Sequence, residues 1–232
     1  MKKSKKGILI VLTALMTLVL SACSKPVTGT LVISDMEAPG LNKVITETHI
    51  RVQASSYLKL WLDANYHQEY SEYAKYLGED EEVLKAEIRE KELQDVAEIF
   101  SGGDAFIDTA ASQQEELLNA INEVYQKADY QIGLAKVNES GQYVIPLTIS
   151  PIRALQVMNE NFEQEALGRF TSIPSEEEWI DFTIEMLRKY NTEAGYGDPV
   201  TLEIILDHSL GTLFYLSEAE VQNIENTVLP VD

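Results

Sequence analysis

The sequence predicts an α+β domain in which amphipathic helices pack on antiparallel hairpins. Apolar residues recur every three or four positions in several long segments, as they do in helices with one buried face. Between these segments lie shorter runs of alternating apolar and polar residues that end in turn residues, which is typical of hairpin strands. This alternation favours helices on one face of a twisted sheet, either as a cone-like fold or as tandem helix-helix-hairpin units.

The first half of the chain is predicted to be mainly helical. Residues 43–52 fit a strand or a helix, whereas the stripe Ala54, Tyr57, Leu58, Trp61 and Leu62 marks one buried helical face. A strand is expected at Thr30 to Ser34, and a tyrosine-rich helix is expected to end at Gly78. A charged helix from Asp80 to Phe100 has Val83 on its apolar face. The next helix begins with a capping box of Ser112 and Glu115.

The second half contains the clearest hairpin. Its strands are Tyr130 to Val137 and Gln142 to Ser150, joined by a turn at residues 138–141. Pro146 predicts an edge position or a bulge, because proline cannot donate a ladder hydrogen bond. Two helices are expected next, one from Arg153 to Gly168 with Leu167 facing inward and one capped by Ser175 and Glu178. Strands at Val200 to Leu206 and Leu213 to Leu216 follow. The final helix is capped by Ser217 and Glu220.

The N-terminus carries the most specific motif of the chain. Four lysines lie within the first six residues, and a largely apolar run of 13 residues from Ile8 to Leu20 follows. A membrane-spanning helix needs roughly 20 apolar residues, so this run indicates a cleaved signal peptide. The sequence Leu20-Ser21-Ala22-Cys23 resembles the lipobox of bacterial lipoproteins, a family in which the cysteine sulfur receives a diacylglycerol. Lipidation of Cys23 by palmitate-like acyl chains would hold the protein at the outer face of the cell membrane.

The chain is divided on this basis into four parts. They are a signal peptide at residues 1–22, the lipidated Cys23 and a tether at residues 23–29, a helical and hairpin part at residues 30–151, and a helix-helix-hairpin-helix part at residues 152–232. We expect the last two parts to pack as one body. No cysteine follows Cys23, so the fold has no disulfide.

The charge of the mature chain excludes one class of partner. Removing residues 1–22 leaves 14 basic and 38 acidic residues, a formal charge of 14 − 38 = −24. Nucleic acid binding requires clustered lysine and arginine, so no nucleic acid partner is expected. Attraction to anionic lipid head groups is excluded for the same reason, which leaves the lipid on Cys23 as the membrane contact.

The whole chain resembles a group of small, uncharacterised lipoproteins of Gram-positive bacteria that carry a domain of unknown function. The resemblance lies in the lipobox, in Glu69 to Gly78, in the helix leading to Tyr130-Gln131-Ile132, and in Tyr196 to Val200 before a strand. Such proteins often have a tryptophan before the last helix, where this chain has Phe214-Tyr215. The resemblance implies location and fold and supplies no catalytic residues.

Tyrosines provide the candidate binding site. Tyr66, Tyr70 and Tyr73 fall on one face of the predicted helix, and Tyr76 extends it. Tyrosine is common at interfaces because its ring is apolar and its hydroxyl is polar. This face is interpreted either as a groove for a ligand or partner, or as the rim of the core.

Neither a catalytic centre nor a metal site is predicted. His49, His67 and His208 lie far apart, and adjacent residues such as Asp207-His208-Ser209 cannot converge as a hydrolytic triad. Ser101-Gly102-Gly103-Asp104 lacks the lysine of a phosphate loop. The acidic runs at residues 79–82 and 176–178 fit helix starts better than calcium loops, although calcium binding stays open.

We therefore expect a lipid-anchored extracytoplasmic protein that is not an enzyme and needs no cofactor. The first hypothesis is a binding module for a protein, peptide or glycan partner. The second is an accessory of envelope assembly or transport that docks on a membrane partner and has no pocket. A hydrolase ranks last, because no nucleophile, metal cluster or phosphate loop is recognisable.

Overall fold

The computed structural model describes residues 41–90, 111–208 and 214–230. These residues form seven helices and five strands. In chain order they are α1 Leu41–Tyr66, α2 Tyr70–Leu77, α3 at residues 81–90, α4 Ala111–Tyr125, β1 Asp129–Ile132, β2 Lys136–Val137, β3 Tyr143–Ser150, α5 Ala154–Arg169, α6 Glu176–Glu193, β4 Val200–His208, β5 Phe214–Leu216 and α7 Glu218–Val228. The predicted strand at Thr30 to Ser34, residues 91–100 of the predicted charged helix and the segment at residues 101–104 lie outside the described residues.

The strands form one antiparallel, curled sheet with helices packed against it, so the α+β prediction is confirmed. The strand order is β1-β3-β4-β5, and β2 pairs with β3 beside β1. Helix α1 packs on β1, β3 and β5, whereas α7 packs on β3 and β4. Helix α6 packs on both α4 and α5, and these three helices form the remaining layer.

Helix α1 provides much of the core. The predicted stripe of Ala54, Tyr57, Leu58, Trp61 and Leu62 is fully buried. Towards its end the helix is buried on every side, because Ala64 and Tyr66 are inaccessible and Asp63 and Asn65 are nearly so. Residues 43–52, which fitted a strand or a helix, belong to this helix. A helix buried all round needs polar partners for its buried side chains, and Asn65 Nδ2 donates to the carbonyl of Trp61 at 2.7 Å.

Pro146 lies in a central strand and not at an edge. Strand β3 has β1 and β2 on one side and β4 on the other, with Pro146 opposite Glu203 of β4. The neighbouring strand is interrupted instead: Ile132 pairs with Leu147 and Lys136 with Val144, so three residues face two. The predicted single strand from Tyr130 to Val137 is therefore two strands, β1 and β2, separated by a bulge-like break where proline offers no donor.

Helix α1 supplies the hydrogen bonds that the break removes from the sheet. The Ser55 hydroxyl donates to the Gly133 carbonyl at 3.0 Å and accepts the Ala135 N–H at 2.9 Å. Arg51 Nε donates to the Ala135 carbonyl. A side chain at position 133 would meet the Pro146 ring at 3.1 Å, so glycine lets the two backbones approach. One helix thus satisfies the backbone groups that Pro146 leaves unpaired.

The helix ends show how local sequence fixes the boundaries. Gly78 ends α2 with a φ of 72°, and the N–H of Glu79 donates to Ala74 O, as in a Schellman motif. The capping box of Ser175 and Glu178 is complete. Ser217 caps α7 as predicted, but the Glu220 carboxylate accepts the Ile205 N–H of β4. The capping box of α7 is therefore incomplete, because the Glu220 side chain bonds to the sheet and not to the Ser217 backbone.

Three helix predictions differ from the structure. Ser112 lies inside α4, and Glu115 pairs with Arg89 of α3 at 2.7 Å, so these residues do not form a capping box. Val83 is 52 % exposed and Leu167 is 68 % exposed, although both were expected to face inward. The buried apolar residues of these helices are Leu84 and Ile88 in α3 and Met158 and Phe162 in α5.

We predict that Ser55→Ala lowers the free energy of unfolding by about 1–3 kcal/mol, because a buried N–H and a carbonyl lose their partner together. Urea denaturation followed by circular dichroism measures the change. Ser56→Ala is the matched control, since Ser56 is the exposed neighbour in the same helix. Equal stability of the two variants would contradict the role given to Ser55.

A second prediction concerns alkaline stability. Burial raises the pKa of Tyr76 to about 12, although its hydroxyl accepts the Phe214 N–H at 3.0 Å. Above pH 10 the unfolded chain releases this proton and the folded chain retains it, so stability is lost as the pH rises through this range. The slope is at most about 1.4 kcal/mol per pH unit for one group, and solvent screening of the half-buried ring reduces it. Tyr76→Phe should give a shallower decline in urea titrations between pH 10 and 12; parallel curves would refute the assignment.

Candidate functional site

The predicted tyrosine site is split between two helices. Tyr66 is the last residue of α1 and Tyr70 the first of α2, and Gln68 between them has a φ of 60°. Tyr66 and Tyr73 are buried, and Tyr70 is half-buried against the core. Two of the three rings thus lie in the interior, which favours the core-rim interpretation. Ligand binding by these tyrosines stays a prediction.

Tyr66 illustrates how the aromatic core is built. Its ring makes edge contacts with Trp61 and Tyr125, at centroid distances of 6.3 and 5.9 Å. Burial, followed by the nearby Glu225 carboxylate, raises the pKa of Tyr66 well above its ordinary value. Such a hydroxyl stays protonated at neutral pH, which suits a packing role.

A polar cluster closes the corner between α1 and β1. Tyr130 Oη donates to Asp63 Oδ1 at 2.6 Å and lies 3.2 Å from His67 Nδ1. His67 Nε2 is 2.8 Å from the Ala128 carbonyl, which can only accept, so Nε2 carries a proton. The His67 and Tyr130 rings are stacked, with centroids 5.2 Å apart. Burial, then the hydrogen bond to Asp63, raises the pKa of Tyr130. Lys59 also pairs with Asp63.

This cluster gives His67 a positioning role. The backbone carbonyl of Asp63 accepts the N–H groups of both His67 and Glu69, and the chain turns there from α1 into α2. The side chains of Asp63 and His67 hold this turn against β1. His67 therefore has a structural role at this corner.

A concave groove lies between α5 and α6. Its volume is about 500 Å³, within the range of roughly 300–1,000 Å³ typical of small-molecule sites. Phe182 and Met186 of α6 are almost fully buried and form its apolar floor. The other lining residues are Asn161, Gln164, Glu165, Gly168 and Arg169 of α5, with Glu185 and Lys189 of α6.

Two ion pairs join the helices across this groove. Arg169 contacts Glu185 at 3.3 Å, and Lys189 contacts Glu165 at 2.5 Å. Tyr190 Oη also donates to Glu165, at 3.3 Å. The hydrogen bond between Lys189 and Glu165 lowers the pKa of Glu165 and raises the pKa of Lys189. Both side chains are therefore held in their charged forms at neutral pH.

The groove continues into an aromatic cluster at one end of the α5–α6 pair. Phe182 contacts Phe162, Phe170 and Trp179 at centroid distances of 5.2, 5.3 and 5.8 Å. These rings fix the two helices against each other and keep the groove floor in place. Sequence reasoning did not find this site, although the pairs Glu165/Arg169 and Glu185/Lys189 each place opposite charges one helical turn apart.

The other sequence candidates have structural roles or lie outside the described residues. Asp80 Oδ1 accepts the N–H groups of Glu82 and Val83 at the start of α3, and Glu178 completes its capping box. Among residues 41–90, 111–208 and 214–230, no group of three histidine, cysteine, aspartate or glutamate side chains could hold a metal ion. His49 is exposed, and Asp207 and His208 are adjacent in β4. Cys23 is not among the described residues.

The described part of the chain contains no helix with the length and apolar character needed to cross a bilayer. No family model matches the sequence. No curated protein matches it significantly either.

The fold is similar to the 2.62 Å crystal structure of YcdA, a "putative lipoprotein" from Bacillus subtilis strain 168. The TM-score is 0.54 and the sequence identity 12 %, and the match covers 82 % of this chain. The chain spans 60 % of the length of YcdA. At this identity the similarity shows a shared fold.

Proposed function

We propose that this protein is a lipid-anchored extracytoplasmic binding module that holds a ligand in the α5–α6 groove. The observation that carries the proposal is the groove itself, with its buried apolar floor and its charged walls of both signs. Ligand sites usually combine apolar surface with convergent polar groups, and this groove places two apolar side chains among six polar or charged ones.

The sequence motif at Cys23 supports the anchored location. The 17 residues from Ser24 to Gly40 connect this cysteine to α1 and can extend by at most ~60 Å. The domain is therefore kept within reach of the membrane surface. The fold similarity to YcdA, described as a "putative lipoprotein" of Bacillus subtilis, is consistent with this arrangement.

The charged groups of the groove support binding over catalysis. A general acid or base works best when its pKa lies near the ambient pH. Here the pKa of Glu165 is lowered and that of Lys189 is raised, so both move away from neutrality. Permanently charged side chains suit recognition of a ligand with complementary charges.

A second candidate function is docking on a membrane partner without a bound ligand. Leu167 is 68 % exposed and Ile173 is 90 % exposed, and both lie where α5 leads into α6. Exposed apolar side chains next to an aromatic cluster are frequent at protein interfaces.

We predict that Cys23→Ala abolishes membrane retention. Without the thiol no diacylglyceryl group can be attached, and loss of two acyl chains removes stable binding. Fractionation of a Gram-positive host, followed by mass analysis of the exported product, measures the effect. An unmodified thiol in the wild-type protein, or unchanged retention of the variant, would refute the anchor.

We also predict that Gly168→Trp blocks the groove without unfolding the protein. A Cβ at position 168 meets no heavy atom within 4 Å, and helical glycine costs about 0.5–1 kcal/mol relative to alanine. The test adds alanyl-leucine, maltotriose or octanoate to the mature chain carrying Cys23→Ser and records amide chemical shifts.

Binding of any one probe should shift amides of α5 and α6, and Gly168→Trp should remove those shifts. Leu167→Trp is the matched control. Leu167 precedes Gly168 in α5 and is exposed, but it does not line the groove. If none of the three probes shifts these amides at millimolar concentration, the groove is not a ligand site, and docking becomes the better function.

A further inference from the structure

The charge of the groove differs from that of the whole chain. The full sequence has a formal net charge of −20, whereas the groove walls carry two acids and two bases. Because the walls are balanced, a ligand with charges of one sign gains no net attraction there. A ligand that carries both signs can pair with both kinds of wall residue.

The spacing of the charges sets the length of such a ligand. Glu165 and Arg169 lie four residues apart in α5, which is about 6 Å along a helix axis. Two residues of extended peptide span about 6.6 Å, so the ammonium and carboxylate of a very short peptide match this separation. From Asn161 to Arg169 the groove runs about 12 Å, which is enough for three extended residues.

The ion pair between Arg169 and Glu185 can be exchanged at low cost. The side chains of Arg169 and Glu185 are 58 % and 59 % exposed and share a single 3.3 Å contact. Exposed pairs of this kind contribute little to stability, because water already solvates both partners. A ligand carboxylate can make two hydrogen bonds to the guanidinium and can therefore replace Glu185.

The floor selects for an apolar side chain. Phe182 and Met186 line the groove between the charged walls, and methionine adapts to differently shaped apolar groups. Amide groups along the ligand would find donors and acceptors in Asn161 and Gln164. Sugars lack the terminal charges, and fatty acids lack the ammonium.

We propose that the α5–α6 groove binds a zwitterionic peptide of two or three residues with an apolar side chain. Its carboxylate pairs with Arg169, its ammonium pairs with Glu165, and its side chain packs on Phe182 and Met186. This inference rests on the proposed function, since it names the ligand class of the same groove.

The test compares alanyl-leucine with its N-acetylated, C-amidated analogue by calorimetry and amide shifts, on the mature Cys23→Ser chain. The free peptide should bind at least ten-fold more tightly than the capped analogue. Arg169→Gln should lower the affinity for the free peptide at least ten-fold. Arg188→Gln is the matched control and should leave binding unchanged. Arg188 pairs with Glu116 of α4, outside the groove. Thermal melting confirms that both variants fold.

Three results would overturn the inference. Equal binding of free and capped peptide would remove the role of the terminal charges. If maltotriose or octanoate changes the amide chemical shifts of α5 and α6 and alanyl-leucine does not, the groove binds another class of ligand. The proposed function as a binding module would then still hold. Absence of groove shifts with all three probes would overturn the inference and the proposed function together.

Discussion

The contact between Ser55 and the broken edge strand couples the central helix to the sheet, and the rest of the fold depends on it. Pro146 in β3 has no N–H, and its ring would crowd a side chain at position 133 of the neighbouring strand, where a Cβ would lie 3.1 Å from it. The edge therefore divides into β1 and β2, and the carbonyl of Gly133 and the N–H of Ala135 turn to Ser55. Because α1 must place Ser55 at this break, its position along the sheet is fixed, and so is the buried face that begins at Ala54.

The same helix determines what the tyrosines can do. Once α1 lies across the sheet, its last turn carries Tyr66 into the interior, and the Asp63–His67–Tyr130 cluster holds the corner that follows. The chain then returns as α2 and buries Tyr73 against Tyr57, with centroids 6.4 Å apart. Two of the three tyrosines therefore pack in the interior. The proposed function places recognition instead on α5 and α6, whose charged residues lie outside the core.

Much of the fold was predictable because it follows from local sequence patterns. The predictions fail where contacts between residues distant in sequence determine the structure. The stripe of α1, the strand β3 and the caps at Ser175 and Ser217 follow from spacing alone. The break after Tyr66 does not, since Gln68 takes a left-handed conformation without the usual glycine or asparagine. The groove was invisible for a similar reason. Opposite charges one turn apart are typical of a solvated helix face, and only the packing of α5 on α6 turns two such faces towards each other.

The balance of charge in the groove follows from its place in an acidic protein. Bases are scarce in this chain, with 18 against 38 acids, so each one near a cavity shapes the local potential strongly. If Arg169 and Lys189 were absent, Glu165 and Glu185 would extend the negative surface and repel any carboxylate. With them present, the two ion pairs link α5 and α6 across an apolar floor and remain partly exposed. Under the proposed function, Glu165 and Arg169 serve both the ion pairs between the helices and the ligand, so a ligand must offer both charges to replace the partners it displaces.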